Sequence, residues 1–88
     1  MTYSVELSPL AEERLVRLKR KSKVAFLAVK NKVRQIQENP YRFKPLSGKM
    51  AGIFRVHIDS SFVLTYRISE QKTAVIIIDY DHHDKIYR

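Results

Sequence analysis

The stretch IFRVHIDSSFVLTYRIS, residues 53–69, decides the fold. Phe54, Val56 and Ile58 alternate with Arg55, His57 and Asp59, the period-2 pattern of a strand with one apolar and one ionisable face. Ser60-Ser61 is short enough to turn the chain straight back into Phe62–Ser69 as a hairpin. Glu70-Gln71-Lys72 then leads to a third strand, Thr73–Tyr80. Its run Val75-Ile76-Ile77-Ile78 is apolar on both faces and predicts a central place in the sheet.

Working outward toward the N-terminus, Tyr3–Leu7 alternates and reads as a first strand. Ser8-Pro9 opens a helix, with serine as N-cap and proline where a missing N–H costs nothing. Glu12 and Glu13 complement the positive helix end. Leu10, Ala11, Leu15 and Leu18 form its apolar stripe. Lys19 to Lys23 reads as a cationic corner. A second helix then runs from about Lys23 to Glu38 with Phe26, Val29, Val33 and Ile36 inward, stopped by Asn39-Pro40. Tyr41 to Gly52 reads as a loop. The expected fold class is α+β: an N-terminal strand and a helical hairpin packed on a mainly antiparallel four-stranded sheet, all in one domain spanning residues 1–88.

Composition narrows the chemistry. The chain has no cysteine, which excludes thiolate metal sites, thiol nucleophiles and a disulfide scaffold. Two glycines in 88 residues leave no glycine-rich phosphate cradle. No run approaches the length of a membrane span and no signal-peptide pattern is present, so the expected location is cytoplasmic. The formal net charge is +8. Between Glu13 and Glu38 lie nine cations and no carboxylate, which favours a polyanionic partner over an ordinary mixed-sign surface.

The chain also holds candidate proton carriers. RNA supplies its own nucleophile, the ribose 2′-hydroxyl, so cleavage needs a base, an acid and a fixed cation at the phosphate. The tail His82-His83-Asp84-Lys85-Ile86-Tyr87-Arg88 holds two imidazoles, a phenol and an arginine. His83 is the first candidate for acid or base. His82, pointing the other way in an extended tail, would help position it. On the middle strand Arg55 would hold the scissile phosphate and His57 would share proton transfer, with Asp59 a turn or orienting residue. Tyr87 reads equally as a stacking residue or a terminal anchor. Lys44 and Lys49 would flank the cut, Arg88 would add a phosphate contact, and Lys30, Lys32 and Arg34 would face a polyanion, either nucleic acid or an acidic protein. Because His82, His83 and Asp84 are consecutive, their spacing predicts no convergence on a metal, and no cofactor is expected.

The order of these elements, with KPLSGKMAGIFRVHIDSSFVLTYRI and the final DYDHHDKIYR, resembles the RelE/ParE superfamily of toxin–antitoxin toxins. The segments PLSG, RVHIDSSFVLTY and HHDKIY look closest to the YafQ-like and RelE/StbE-type branches. The resemblance implies a ribosome-dependent mRNA endonuclease (an mRNA interferase) that enters the A site and inhibits translation. It also implies neutralisation by a cognate antitoxin through which the complex binds operator DNA. It assigns His57 and His83 to catalytic histidines, Arg55 to a catalytic basic position, Tyr87 to a substrate-contacting aromatic and Phe62 to the aromatic after the turn. The sequence departs from the pattern at Val63, where RelE has arginine, and at Lys44 and Ser61, where YafQ has histidine and aspartate. The alternatives are a ParE-like inhibitor of DNA gyrase without nuclease activity, or a degenerate relative acting as a DNA-binding corepressor.

Overall fold

A computed structural model describes residues 2–46 and 52–86. Strand β1 (Ser4–Leu7) leads into helix α1 (Pro9–Lys21) and then α2 (Lys23–Glu38). Four further strands follow: β2 (Lys44–Pro45), β3 (Phe54–His57), β4 (Phe62–Ser69) and β5 (Ala74–His82). A final turn of helix, α3, covers His83–Ile86. They form a five-stranded sheet in the order β1-β5-β4-β3-β2, antiparallel except where β1 runs parallel to β5.

The α+β expectation holds, with two additions. A two-residue edge strand, β2, brings the count from four to five. Lys19–Lys21 belongs to the last turn of α1, so the cationic corner reduces to Ser22 alone. That residue does two jobs: its N–H closes α1 onto the Leu18 carbonyl, and its hydroxyl accepts the Ala25 N–H to cap α2. At the start of α1, Ser8 accepts from Ala11 N–H at 3.0 Å as an N-cap and donates its hydroxyl to the Ile78 carbonyl at 2.6 Å. One serine thus caps the helix and fastens it to the central strand.

The core lies between the two long helices and one face of the sheet. Ala11 and Leu15 of α1, Val29 and Ile36 of α2, and Val56, Leu64, Tyr66, Val75, Ile77 and Tyr80 of the strands are buried together. Burial raises the Tyr66 phenol well above its usual range, and its hydroxyl donates to the Pro40 carbonyl at 2.7 Å.

A register shift between Thr65 and Tyr66 decides how β5 faces the rest. Thr65 pairs with Asp79 but Tyr66 pairs with Ile77, so Ile78 is an extra residue on β5. Such a bulge inverts the alternation. Val75 and Ile77 face the core before it; Tyr80 faces the core after it. Asp79 and Asp81 are thereby turned away from the apolar layer, where an unbulged strand would have buried them.

Candidate functional site

Two groups of polar residues emerge at the same end of the sheet. The first is on β3. Val56 enters the core, so alternation turns Arg55 and His57 to the opposite face, with His57 exposed and Arg55 half-buried. Lys44 on β2 pairs directly with Arg55 across the strands. On the other side Arg55 pairs with Thr65 and His57 with Val63. Thr65 and Val63 are buried, so the cations of this face flank a closed floor. The expected sharing of one strand face by Arg55 and His57 is therefore present, and Lys44 joins them.

The second group closes β5. The His83 N–H donates to the Ser61 carbonyl at 2.9 Å, extending the β4–β5 pairing to the turn before the chain coils into α3. The tail is consequently not extended, and the two imidazoles do not point apart. Their rings stack, with centroids 4.6 Å apart at 27°. His82 also meets Phe62 edge-on at 5.7 Å, and Phe62 stacks on Tyr80 at 5.3 Å. Phe62 is thus a half-buried packing residue at the base of an aromatic line, Tyr80–Phe62–His82–His83. Burial, with a smaller contribution from Asp59, raises the Tyr80 phenol above its ordinary value.

Asp84 spans both imidazoles. Its Oδ1 lies 3.0 Å from His83 Nδ1 and its Oδ2 lies 3.5 Å from His82 Nδ1. The Asp84 N–H also donates to His82 Nδ1 at 3.2 Å. One imidazole nitrogen from each ring and one carboxylate oxygen lie within 4.8 Å of one another. Consecutive residues converge here because the strand-to-helix transition folds them together, which a spacing argument based on an extended chain misses.

How the groups stand to each other follows from the register. His57 and Asp81 flank Val63, and β3 and β5 flank β4. Neighbouring strands lie about 4.8 Å apart, which sets these two backbones on the order of 10 Å apart. The ring and ion-pair contacts of His83 run to His82 and Asp84. Among the described residues the His57 side chain makes no hydrogen bond or ion pair.

One part of the site was invisible in the sequence. Beyond Ile77, no strand among the described residues pairs with β5 on its β1 side. Arg14 of α1 holds that projecting end, with Nη1 2.8 Å from Asp79 Oδ1 and 2.5 Å from Asp81 Oδ2. Asp81 Oδ1 accepts the His82 N–H at 2.7 Å. A hollow of about 410 Å³ lies beside this network, with Phe62 and Tyr80 at its base and Arg17, Lys21 and Lys85 among its lining.

The remaining sequence candidates separate. Lys30 and Arg34 line a groove between the two long helices, floored by Leu15, Phe26, Val29 and Val33. Lys32 instead places its Nζ 5.9 Å from the Phe43 ring. The three cations therefore serve two surfaces of the helical layer. Lys49, Tyr87 and Arg88 lie outside the described residues. No helix among the described residues is long and apolar enough to cross a membrane.

Comparison with known proteins agrees with this architecture. A family model described as the ParE toxin of the type II toxin–antitoxin system parDE matches residues 5–87. A curated relative from Methanocaldococcus jannaschii, named "Putative toxin RelE4", is 37% identical over 86 residues, covering 98% of this chain and 92% of its own. Among solved structures, the toxin–antitoxin complex RelBE2 from Mycobacterium tuberculosis contains a chain with 28% identity and a TM-score of 0.79. That match covers 94% of this chain and 100% of the other. The YoeB/ParE toxin from Agrobacterium tumefaciens matches at a TM-score of 0.85 with 18% identity, covering 91% and 98% of the two chains, a likeness of fold alone.

Proposed function

The chain belongs to the RelE/ParE superfamily of toxins of type II toxin–antitoxin systems, and on that premise we propose that it is an endoribonuclease cleaving mRNA in the ribosomal A site. The observation that carries the reading is the pair of polar groups at one end of the sheet: Lys44, Arg55 and His57 on β2 and β3, and His83 beyond one intervening strand, next to His82, whose pairing with Phe62 turns it to the core side.

In the proposed reaction one imidazole, from His57 or His83, takes the proton of the ribose 2′-hydroxyl. The 2′-oxygen attacks phosphorus and forms the cyclic phosphodiester as the bond to the 5′-oxygen breaks. The other imidazole protonates that departing oxygen. Arg55 neutralises charge on the non-bridging oxygens, for which a guanidinium fork is suited. Lys44 stands directly opposite Arg55 on the neighbouring strand, so two cationic side chains are available on that face. The protein's residues supply all the proton transfers, so the chemistry calls for no metal. Tyr87 and Arg88 would complete the substrate contacts from the chain's end, and Lys49 would flank the cut.

The cations of the helical layer, including Lys30, Lys32 and Arg34, would draw the protein to ribosomal RNA, an attraction that salt weakens. A cognate antitoxin is the expected second partner, by likeness to the RelBE2 complex, with operator DNA bound through that antitoxin. A second reading, a ParE-like inhibitor of DNA gyrase, takes its support from the description of the matching family model.

Mapping new mRNA 5′ ends after induction in growing cells separates the two. Ends locked to the reading frame are expected. Intact mRNA together with cleaved DNA would replace the nuclease by the gyrase reading.

A further inference from the structure

We propose that His82, His83 and Asp84 form a binding site for a divalent transition-metal ion of the zinc class. Three donors of suitable chemistry already lie within 4.8 Å of one another. Ligands around zinc bond at about 2.0–2.2 Å in a tetrahedron, which sets neighbouring donors roughly 3.3 Å apart. The His83 Nδ1 to Asp84 Oδ1 distance, 3.0 Å, is close to that spacing, and the His82 Nδ1 to Asp84 Oδ2 distance is 3.5 Å. Closing the set needs side-chain rotations that draw donors within 4.8 Å of one another to that spacing. These are available, since the three side chains are 38, 40 and 71% exposed.

Charge favours a cation here despite the basic chain. His82 Nδ1 accepts the Asp84 N–H, a hydrogen bond that the ion must displace to take that nitrogen. Asp79 and Asp81 spend their charge on Arg14, which leaves Asp84 as the carboxylate serving the imidazoles. The backbone is held on the strand side, His82 by the Asp81 carboxylate and His83 by the Ser61 carbonyl, so little ordering remains to oppose binding. Two imidazoles and one carboxylate select zinc, nickel or copper(II) over calcium and magnesium. A fourth position stays open to water.

The consequence, which rests on the nuclease reading, is inhibition. A metal on His83 occupies the lone pair that would otherwise move a proton, so the bound ion switches cleavage off and a chelator restores it.

Titration calorimetry of the untagged full chain with zinc chloride tests the site directly. One ion per chain is expected. His82→Gln, His83→Gln and Asp84→Asn should each weaken binding at least about 10-fold, while His57→Gln leaves it unchanged. Zinc, a diamagnetic ion, should shift the ring NMR signals of His82 and His83 and leave those of His57 in place, which guards against misfolded variants. Wild-type affinity equal to that of the His82→Gln/His83→Gln double variant would overturn the site. Zinc binding at His82 and His83 with cleavage undiminished would instead overturn the inhibition and the role of His83 in the nuclease reading, leaving the site standing.

Discussion

The two halves of β5 are built on different principles. Ala74–Ile77 is paired on both edges, with β1 and β4, and its Val75 and Ile77 are fully buried. From Asp79 to His82 the strand is paired on β4 alone, carries two carboxylates and an imidazole, and depends on Arg14 from another element. The first half is held by apolar burial, which is non-directional and depends on no ionised group. The second is held by a few charged contacts that fix direction at some expense in stability. A protein that must present imidazoles at a sheet's end needs the first half to anchor the second.

Substitutions that act on only one half test the division. The largest effect belongs to the tail: His83→Gln should lower mRNA cleavage by about 10²–10⁴-fold, with thermal stability changed by no more than about 0.5 kcal/mol. Unaltered cleavage in a translation-coupled assay would remove His83 from the proposed site. Ile77→Ala should do the reverse. Cavity formation costs about 2–5 kcal/mol in denaturant titrations, and cleavage per folded molecule should stay near wild type.

Arg14→Ala probes the joint between the halves. Leaving Asp79 and Asp81 without their cation should cost about 1–3 kcal/mol. Cleavage should fall further than the loss of folded protein explains, because His82 and His83 lose their support. Arg14→Lys should restore stability more than cleavage, since an ammonium can meet both carboxylates as Nη1 does, but its flexible stem fixes them less firmly than the planar guanidinium. Equal recovery of both would mean that Arg14 is structural only.

The smallest effect lies at the opposite end of the sheet. There the Tyr3 and Tyr41 hydroxyls both donate to Glu70. The hydrogen bond to Glu70, with burial and the carboxylate's charge, pushes the Tyr41 phenol up to about 12. A raised folded-state value favours the protonated phenol. The contribution is therefore complete below the ordinary value near 10 and is lost as pH climbs from 10 to about 12. Thermal melts of Tyr41→Phe should show a shallower alkaline decline than wild type across that window, with cleavage at neutral pH untouched.

Much of this was legible in the residues. Alternation in Phe54–Ile58 predicted which side chains of β3 enter the core, and hence that Arg55 and His57 share the other face. Ser8-Pro9 and Asn39-Pro40 marked helix boundaries that the structure keeps. Lys44–Pro45 carried no strand signal because two residues display no period, and only pairing with β3 makes them a strand. Phe62, the aromatic after the turn, gave no sign in sequence of its stacking on Tyr80, which needs β4 and β5 to pair. Lys30, Lys32 and Arg34 look like one basic cluster in sequence but divide between two surfaces, since each step along a helix turns the side chain by about 100°.

Local pattern sufficed wherever neighbours in sequence are neighbours in space, and so the chain by itself specified the hairpins, the capped helices, the cationic character and the pair of imidazoles. Tertiary structure alone decided the rest: the bulge at Ile78 that turns two aspartates outward, their capture by an arginine 65 and 67 residues away, and the gathering of His82, His83 and Asp84. Those outcomes depend on which strands pair and where the pairing stops, and register is a property of two segments that neither one encodes separately.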